Sequence, residues 1–439
     1  MAICCSPFFV LHVFVVCPLI PVGDCRDDDT FLIDGFLSNA WVTNGWPIIL
    51  PIAALIAFSF LQTVPLGKLQ LPSIGSPASR TISVDAYETR FFALQLSAIG
   101  LFGIFLFRYL TSVRRLRIVI HLVIAIAVAS AIFGIVRRTT QHDTGFVLPL
   151  LHLEQGYGQF INRNHFAFLM EMALGLILGL VLGGGVRREQ VLAYLGMLLP
   201  IWTALVLSGS RAGVIAMLAE VVVAAFLLSG LLRNRQLDDS QSRLLGLLRS
   251  GPVRIGLFLV LVFGVVFGSF YLGGEHLASR LEASRADFSA APSESRMGVS
   301  RNEIWALTFK MIAAHPVLGV GMGAYWAAVP EFHDASGAWT PQEAHNDYLE
   351  LLASGGLFGF AIGVWFFVAV VKKARTNLQS PHRLGRAACL GASIGIAGVA
   401  VHSLVDFGLH VTVNALVFTT LIVIATSEHP WDKETIRQS

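Results

Sequence analysis

The sequence predicts an all-α polytopic membrane protein of about eleven transmembrane helices with one large extracytoplasmic loop subdomain. Three observations carry that prediction. Of 439 residues, 55% are hydrophobic and only 13% are charged, against about 25% charged in an ordinary soluble domain. Continuous apolar runs of the length that crosses a hydrocarbon core of about 30 Å recur almost to the end of the chain. Basic residues gather in short connections that lie two runs apart. With 28 acids and 31 Lys plus Arg, a soluble enzyme of this size could not cover its surface. A net charge of +3 without a basic face excludes nucleic acid as a partner.

In chain order, the apolar runs fall at 2–22, 46–63, 91–110, 117–136, 165–185, 191–207, 211–232, 253–272, 349–371, 387–405 and 409–427. Barrel strands alternate lipid-facing and lumen-facing residues over short segments, whereas these runs are apolar throughout, so helices are expected. Arg114, Arg115 and Arg117 fall in one connection and Arg187 and Arg188 in another. Arg233, Arg235, Arg243, Arg249 and Arg254 form a third group, and Lys372, Lys373, Arg375, Arg383 and Arg386 a fourth. Each group is two spans from the next, which puts all four on the cytoplasmic side. Segments 137–164 and 273–348, the turn around Ser208–Arg211 and the link at Asp406 then face outward. The expected organisation is an N-terminal region of unassigned topology (1–45), a membrane bundle (46–272), an extracytoplasmic subdomain (273–348), C-terminal membrane helices (349–427) and a cytoplasmic tail (428–439). The first run resembles a signal-peptide core but lacks a basic n-region, and Asp24, Asp27, Asp28 and Asp29 follow it. The five cysteines show no ligand spacing, so neither a zinc site nor a disulfide framework is expected.

The 273–348 segment is long for a loop and should fold on its own. Arg301–Ala314 spaces Ile304, Trp305, Leu307, Thr308 and Met311 as one helical face, and His315-Pro316 stops the helix. Gly319, Gly321 and Gly323 permit tight turns and close backbone approach; they lack the strand, helix and spacing of a nucleotide fingerprint. Asn346 or Asp347 is a plausible N-cap, placing His345 just before a helix at the outer face. A solvated loop histidine is the alternative at that position.

Charge within a span costs at least about 2.5–3.5 kcal/mol by insertion scales, which singles out Arg163, His165, Glu171, Arg211, Glu220, His402 and Asp406. Arg211 sits among small residues in Ser208-Gly209-Ser210-Arg211-Ala212-Gly213; an arginine reaching to the interface is the alternative. Glu171 and Glu220 read as contacts between helices, and His402 with Asp406, four apart, as a structural pair on one helix surface. Arginines and a histidine on one outer face, without a metal-ligand cluster, suit a substrate that carries phosphate charge.

At these residues the sequence resembles the O-antigen ligase and Wzy-type polymerase family of bacterial inner-membrane glycosyltransferases. The resemblance rests on Gly158-Gln159-Phe160-Ile161-Asn162-Arg163-Asn164-His165-Phe166, on Leu207–Gly213, and on Arg301 with Trp305 followed by His315-Pro316 and Gly319-Val320-Gly321. It continues through His345-Asn346-Asp347-Tyr348-Leu349-Glu350 and Gly355-Gly356 to His402-Ser403-Leu404-Val405-Asp406-Phe407, and covers roughly 90–427. It implies a C-type glycosyltransferase-like fold of about twelve spans in the inner membrane. It further implies inverting transfer, without metal or other cofactor, of a glycan from undecaprenyl pyrophosphate to a lipid or glycan acceptor at the periplasmic face. Carried over by position, Arg211 and Arg301 would grip the pyrophosphate, Arg163 would assist, and His345 would activate the acceptor hydroxyl. A polymerase of repeat units is the alternative within the family. A secondary transporter with a proton path through Glu171, Glu220, His402 and Asp406 is the alternative outside it, although the matched broken helices expected of one are not evident.

Overall fold

A computed structural model describes residues 45–65, 81–140, 156–234, 301–333 and 340–428. The expected runs at 2–22 and 253–272 and the Asp-rich stretch after residue 23 lie outside them. The described helices are α1 (Trp46–Gln62), α2 (Ala86–Tyr109), α3 (Val113–Thr140), α4 (Arg163–Leu182), α5 (Val191–Leu207, entered through a 3-10 turn at Arg188–Gln190) and α6 (Arg211–Asn234). They continue with α7 (Arg301–Ala314), α8 (Tyr325–Phe332), α9 (Asp347–Asn377), α10 (Arg383–His402) and α11 (Thr412–Thr426), the last preceded by a 3-10 turn at Gly408–His410. Seven of these, α2 to α6 with α9 and α10, are long and apolar enough to cross a membrane; α1 and α11 are shorter apolar helices. The protein is therefore an all-α, multi-pass membrane protein.

Polar caps set the helix starts earlier than the apolar runs suggest. Asp85 accepts the Tyr87 and Glu88 N–H groups at 2.9 and 3.2 Å, so α2 begins before its apolar stretch. Asn162 caps α4 through Asn164 N–H at 2.9 Å, and Asn346 caps α9 through Tyr348 and Leu349 N–H, both at 3.0 Å. Each cap satisfies donors that a helix start otherwise leaves open.

At the centre, α4 and α10 are sheathed by other elements and make backbone contact with each other. Gly175 and Gly179 on α4 and Gly183 at its C-cap face Gly395, Gly391 and Ala387 of α10, a small-residue spacing that lets membrane helices close on each other. A Cβ built on Gly179 would lie 2.0 Å from the Gly391 nitrogen.

One expectation is corrected in α9. The apolar run 349–371 reads as a continuous helix, yet Gly356 adopts φ 60°, ψ −165° and breaks it. The segment after α7 docks into that break. Leu357 and Phe358 donate N–H groups to the Pro316 and Val317 carbonyls at 2.8 and 3.1 Å, while Val320 and Gly321 donate to the Ala353 and Ser354 carbonyls, both at 3.0 Å. Backbone groups freed at membrane depth must find such partners. A Cβ at Gly356 would sit 2.3 Å from the Val317 carbonyl oxygen, so no other residue fits. Buried Gln62 closes the junction: its amide donates to the Leu318 and Ser354 carbonyls at 2.7 and 3.1 Å, and its oxygen accepts Met322 N–H at 2.9 Å. A separate apolar cluster of Leu307, Met311, Val320, Tyr325, Val329, Ala344 and Ala353 ties α7 and α8 to α9.

Candidate active site

Asp406 is the hub of a polar cluster at one end of the bundle. It lies in the link between α10 and α11, fully buried, where its Oδ1 accepts the Phe407 N–H at 2.9 Å. Around it stand the Arg301 guanidinium at 3.6 Å, His345 Nδ1 at 3.5 Å and His165 Nε2 at 3.9 Å. The Asn164 side-chain amide donates to its other oxygen. The start of α6 joins through Ser210, whose hydroxyl donates to the Asn164 side-chain oxygen at 2.8 Å. Thus the starts of α4, α6, α7 and α9 and the end of α10 meet at one end, while Arg114, Arg187, Lys372 and Arg383 mark the other.

Local backbone chemistry aims His345 at this hub. The residue holds φ 50°, in the left-handed region, which only a few per cent of non-glycine residues adopt. The next residues lock the conformation: Asn346 donates its side-chain amide to the Leu404 carbonyl at 2.8 Å, and Asp347 N–H reaches the Ser403 carbonyl at 3.0 Å. The Trp305 indole N–H donates to the Ala344 carbonyl at 3.1 Å, which explains why Trp305 is only partly buried on a face read as apolar. Phe407 presents its ring to both histidines, edge to face, with centroids 4.8 Å from His165 and 4.8 Å from His345. His345 Nδ1 is buried while the side chain as a whole stays 31% exposed.

Burial alone would raise the Asp406 pKa, but the neighbouring His345 imidazole, 3.5 Å away, and the Phe407 N–H hold it well below the usual carboxylate range. Its charged form is thereby favoured at neutral pH. A buried carboxylate behind an imidazole orients the ring and stabilises its protonated form, the arrangement used by catalytic histidines on unrelated folds.

Of the four residues expected to carry chemistry, Arg301 and His345 come together on Asp406. Arg211 opens α6 beside Ser210, and Arg163 opens α4 beside Asn164, so both stand at the same end. Sequence reading left Asp406, His165 and Asn164 out of the site, although each lay in a quoted motif and burial of a charge in a span pointed to two of them. The expected His402–Asp406 pair is not formed as read. Asp406 N–H does reach the His402 carbonyl at 3.2 Å, one turn on, but the side chains do not pair: His402 Nδ1 instead lies 2.8 Å from Glu171 Oε1, and its ring stacks on Phe168 at 4.1 Å. Glu171 is a contact between α4 and α10.

Beside the hub, His410 is ringed by Glu343 at 3.3 Å, Asp347 at 3.6 Å and Glu350 at 3.6 Å. Glu343, Glu350 and His410 have ligand atoms within 4.8 Å of one another and could hold a cation. Burial opposes charge on the His410 ring, but Glu350, Glu343 and Asp347 more than offset it and raise its pKa to about 10, so a protonated imidazole competes with a cation for these carboxylates. Because the folded value lies above the unfolded one of about 6.5, the stabilisation is full below about pH 6.5 and is lost as pH rises through about 10. The stability gap between wild type and His410→Ala, read by thermal unfolding in detergent, should therefore shrink as pH rises from about 8 through about 10. A gap that does not change with pH would contradict this.

Fold and site together define a membrane-embedded protein that gathers a buried carboxylate, histidines and arginines at one end of a helical bundle. Residues 195–364 match the family model described as O-Antigen ligase. The matched segment includes Arg211, Arg301 and His345. No curated protein matches the chain. The family implies an enzyme of polysaccharide assembly that works on lipid-linked glycans in a membrane.

Proposed function

We propose that this protein is an O-antigen ligase-like glycosyltransferase of the bacterial inner membrane that moves a glycan from undecaprenyl pyrophosphate to an acceptor hydroxyl at the periplasmic face. The observation that carries this reading is the convergence of Arg301 and His345 on buried Asp406, beside the helix starts that bear Arg211 and Arg163. In this mechanism His345, oriented through Nδ1 by Asp406, uses its other ring nitrogen to take the acceptor proton. The acceptor oxygen attacks the anomeric carbon as the bond to the pyrophosphate oxygen breaks. The new glycosidic bond forms on the face opposite the leaving group, which inverts the centre. The bond electrons leave with the pyrophosphate, and Arg211, Arg301 and Arg163 stabilise that charge. No step calls for a metal or other cofactor. In this reading the segment 273–348 is the extracytoplasmic loop subdomain between the membrane units 46–272 and 349–427.

His345→Ala and Arg211→Ala in the native host, with membrane expression confirmed, test the reading by display of surface glycans on a gel. Loss of lipid-linked polymer on the acceptor, with carrier-linked polymer retained, is expected; single-repeat products would instead mark a polymerase, and unchanged glycans would overturn the enzyme reading. For orientation, Gly337→Cys in a background without native cysteines should react with an impermeant thiol reagent applied from outside. Protection of that cysteine in accessible protein would reverse the topology.

A further inference from the structure

At the end of the bundle opposite Asp406, α3 carries a feature that the glycan-transfer reading does not use. Arg114, Arg117, Ile118, His121, Leu122 and Ala125 line a shallow, open groove along one face of the helix. All six are exposed to the surroundings of the bundle. They recur at three- and four-residue spacing, so they form one stripe, with both guanidinium groups at its start and apolar side chains beyond them. At 1.5 Å per residue, the stripe from Arg114 to Ala125 runs about 16 Å, the depth of one leaflet of a hydrocarbon core about 30 Å thick.

The polar group midway along the stripe is closed off. His121 Nδ1 donates to the Arg117 carbonyl at 2.7 Å, and Nε2 lies 2.8 Å from the Tyr194 hydroxyl of α5. The imidazole therefore acts as a fixed wall between α3 and α5 and leaves the guanidinium groups as the charge at the mouth. Arg115, between them in sequence, points elsewhere: it donates to the Thr111 hydroxyl at 3.0 Å and lies over the Tyr109 ring at 5.1 Å. Two arginines of one face are thus aimed at the groove while the third is committed away from it.

We propose that this groove is a binding site for a phospholipid with an anionic headgroup. Its phosphate is held by Arg114 and Arg117, and one acyl chain lies along Ile118, Leu122 and Ala125. Basic residues at the end of a transmembrane helix attract anionic lipid headgroups, and guanidinium groups hold phosphate oxygens bidentately. The site is independent of glycan transfer, and it stands or falls without it.

The test is a native mass spectrometry titration of the full chain, released from nanodiscs of phosphatidylcholine with and without phosphatidylglycerol. Wild type should retain phosphatidylglycerol in preference to phosphatidylcholine. The double variant Arg114→Gln/Arg117→Gln should weaken that retention at least about tenfold, the loss of two charge-assisted contacts. Ala125→Trp, which fills the apolar end of the groove, should weaken retention with both arginines intact, whereas Arg115→Gln should leave it unchanged. Thermal unfolding in phosphatidylcholine alone confirms that each variant is folded. Equal retention of both lipids by wild type would overturn the proposal. So would equal loss from Arg115→Gln, which would show a diffuse basic edge, or retention of a polyprenyl phosphate with no phosphatidylglycerol bound.

Discussion

Asp406→Asn is expected to cut glycan transfer by roughly 10²–10³-fold while the protein still reaches the membrane, the range that loss of a well-placed acid–base system costs. The substitution keeps the shape of the side chain and removes its charge. Asp406 is buried and faces Arg301 at 3.6 Å and His345 at 3.5 Å, so the amide would leave two cationic or proton-accepting groups without their counter-charge. Removing one partner of a buried ion pair costs about 3–5 kcal/mol. Arg301 is 39% exposed and water screens it in part, so the loss of stability should be on the order of 2 kcal/mol. The folded pKa of Asp406 is depressed; its contribution is therefore present above the unfolded value of about 3.9 and is lost as pH falls through the folded value. Initial rates on a lipid-linked glycan, with thermal unfolding in parallel, check both statements. Transfer within about threefold of wild type would remove Asp406 from the mechanism.

The second large effect is expected away from the polar cluster. Gly179→Leu should prevent accumulation of folded protein, and Gly179→Ala should destabilise it by about 2–3 kcal/mol, the upper part of the range for overpacking. The new Cβ would lie 2.0 Å from the Gly391 nitrogen and 2.1 Å from its Cα. Main chain stands on both sides, so no rotamer relieves the contact; α4 and α10 must separate. Those helices carry Asn164 and His165 on one side and lead into Asp406 on the other, so separation also opens the site. Gly196→Ala on α5 supplies the control, because nothing lies within 4 Å of a Cβ there. It should be neutral or slightly stabilising. Fluorescence-detected size exclusion and unfolding temperatures compare the three; equal behaviour of Gly179→Ala and Gly196→Ala would contradict the packing account.

Much of the fold is legible in the sequence because lipid imposes a simple rule: a helix that faces it must be long and apolar. The runs at 165–185 and 191–207 match α4 and α5 within a few residues. The break in α9 was harder to read. Gly355-Gly356 sits inside an apolar run, and only the docking of Pro316–Gly321 into the gap satisfies the backbone there. The glycine ladder of α4 and α10 was readable as Gly175-x3-Gly179-x3-Gly183 and Gly391-x3-Gly395, yet hydropathy does not distinguish it from an ordinary span.

The candidate site was legible in part. His345 stood out as a histidine before an N-cap, and Arg301 as the first residue of an amphipathic helix. Asp406 did not stand out as the hub, since its partners lie at 164, 165, 301 and 345 and only the folded chain brings them together. The four-residue spacing of His402 and Asp406 does keep a backbone bond, Asp406 N–H to the His402 carbonyl, but the His402 ring turns to Glu171 and Phe168 instead. Here α10 stops at His402, and the chain turns through Ser403–Val405 before it delivers Asp406.

The most direct measurement of the central claim uses purified protein in liposomes, supplied with an undecaprenyl-pyrophosphate-linked glycan and an acceptor hydroxyl. Wild type should release the lipid pyrophosphate and form a glycoside of inverted anomeric configuration, with a rate unchanged by a chelator. His345→Ala in correctly folded form should lower that rate by at least about 10²-fold. Full-rate transfer by folded His345→Ala, or a product of retained configuration, would contradict a mechanism in which His345 on Asp406 activates the acceptor.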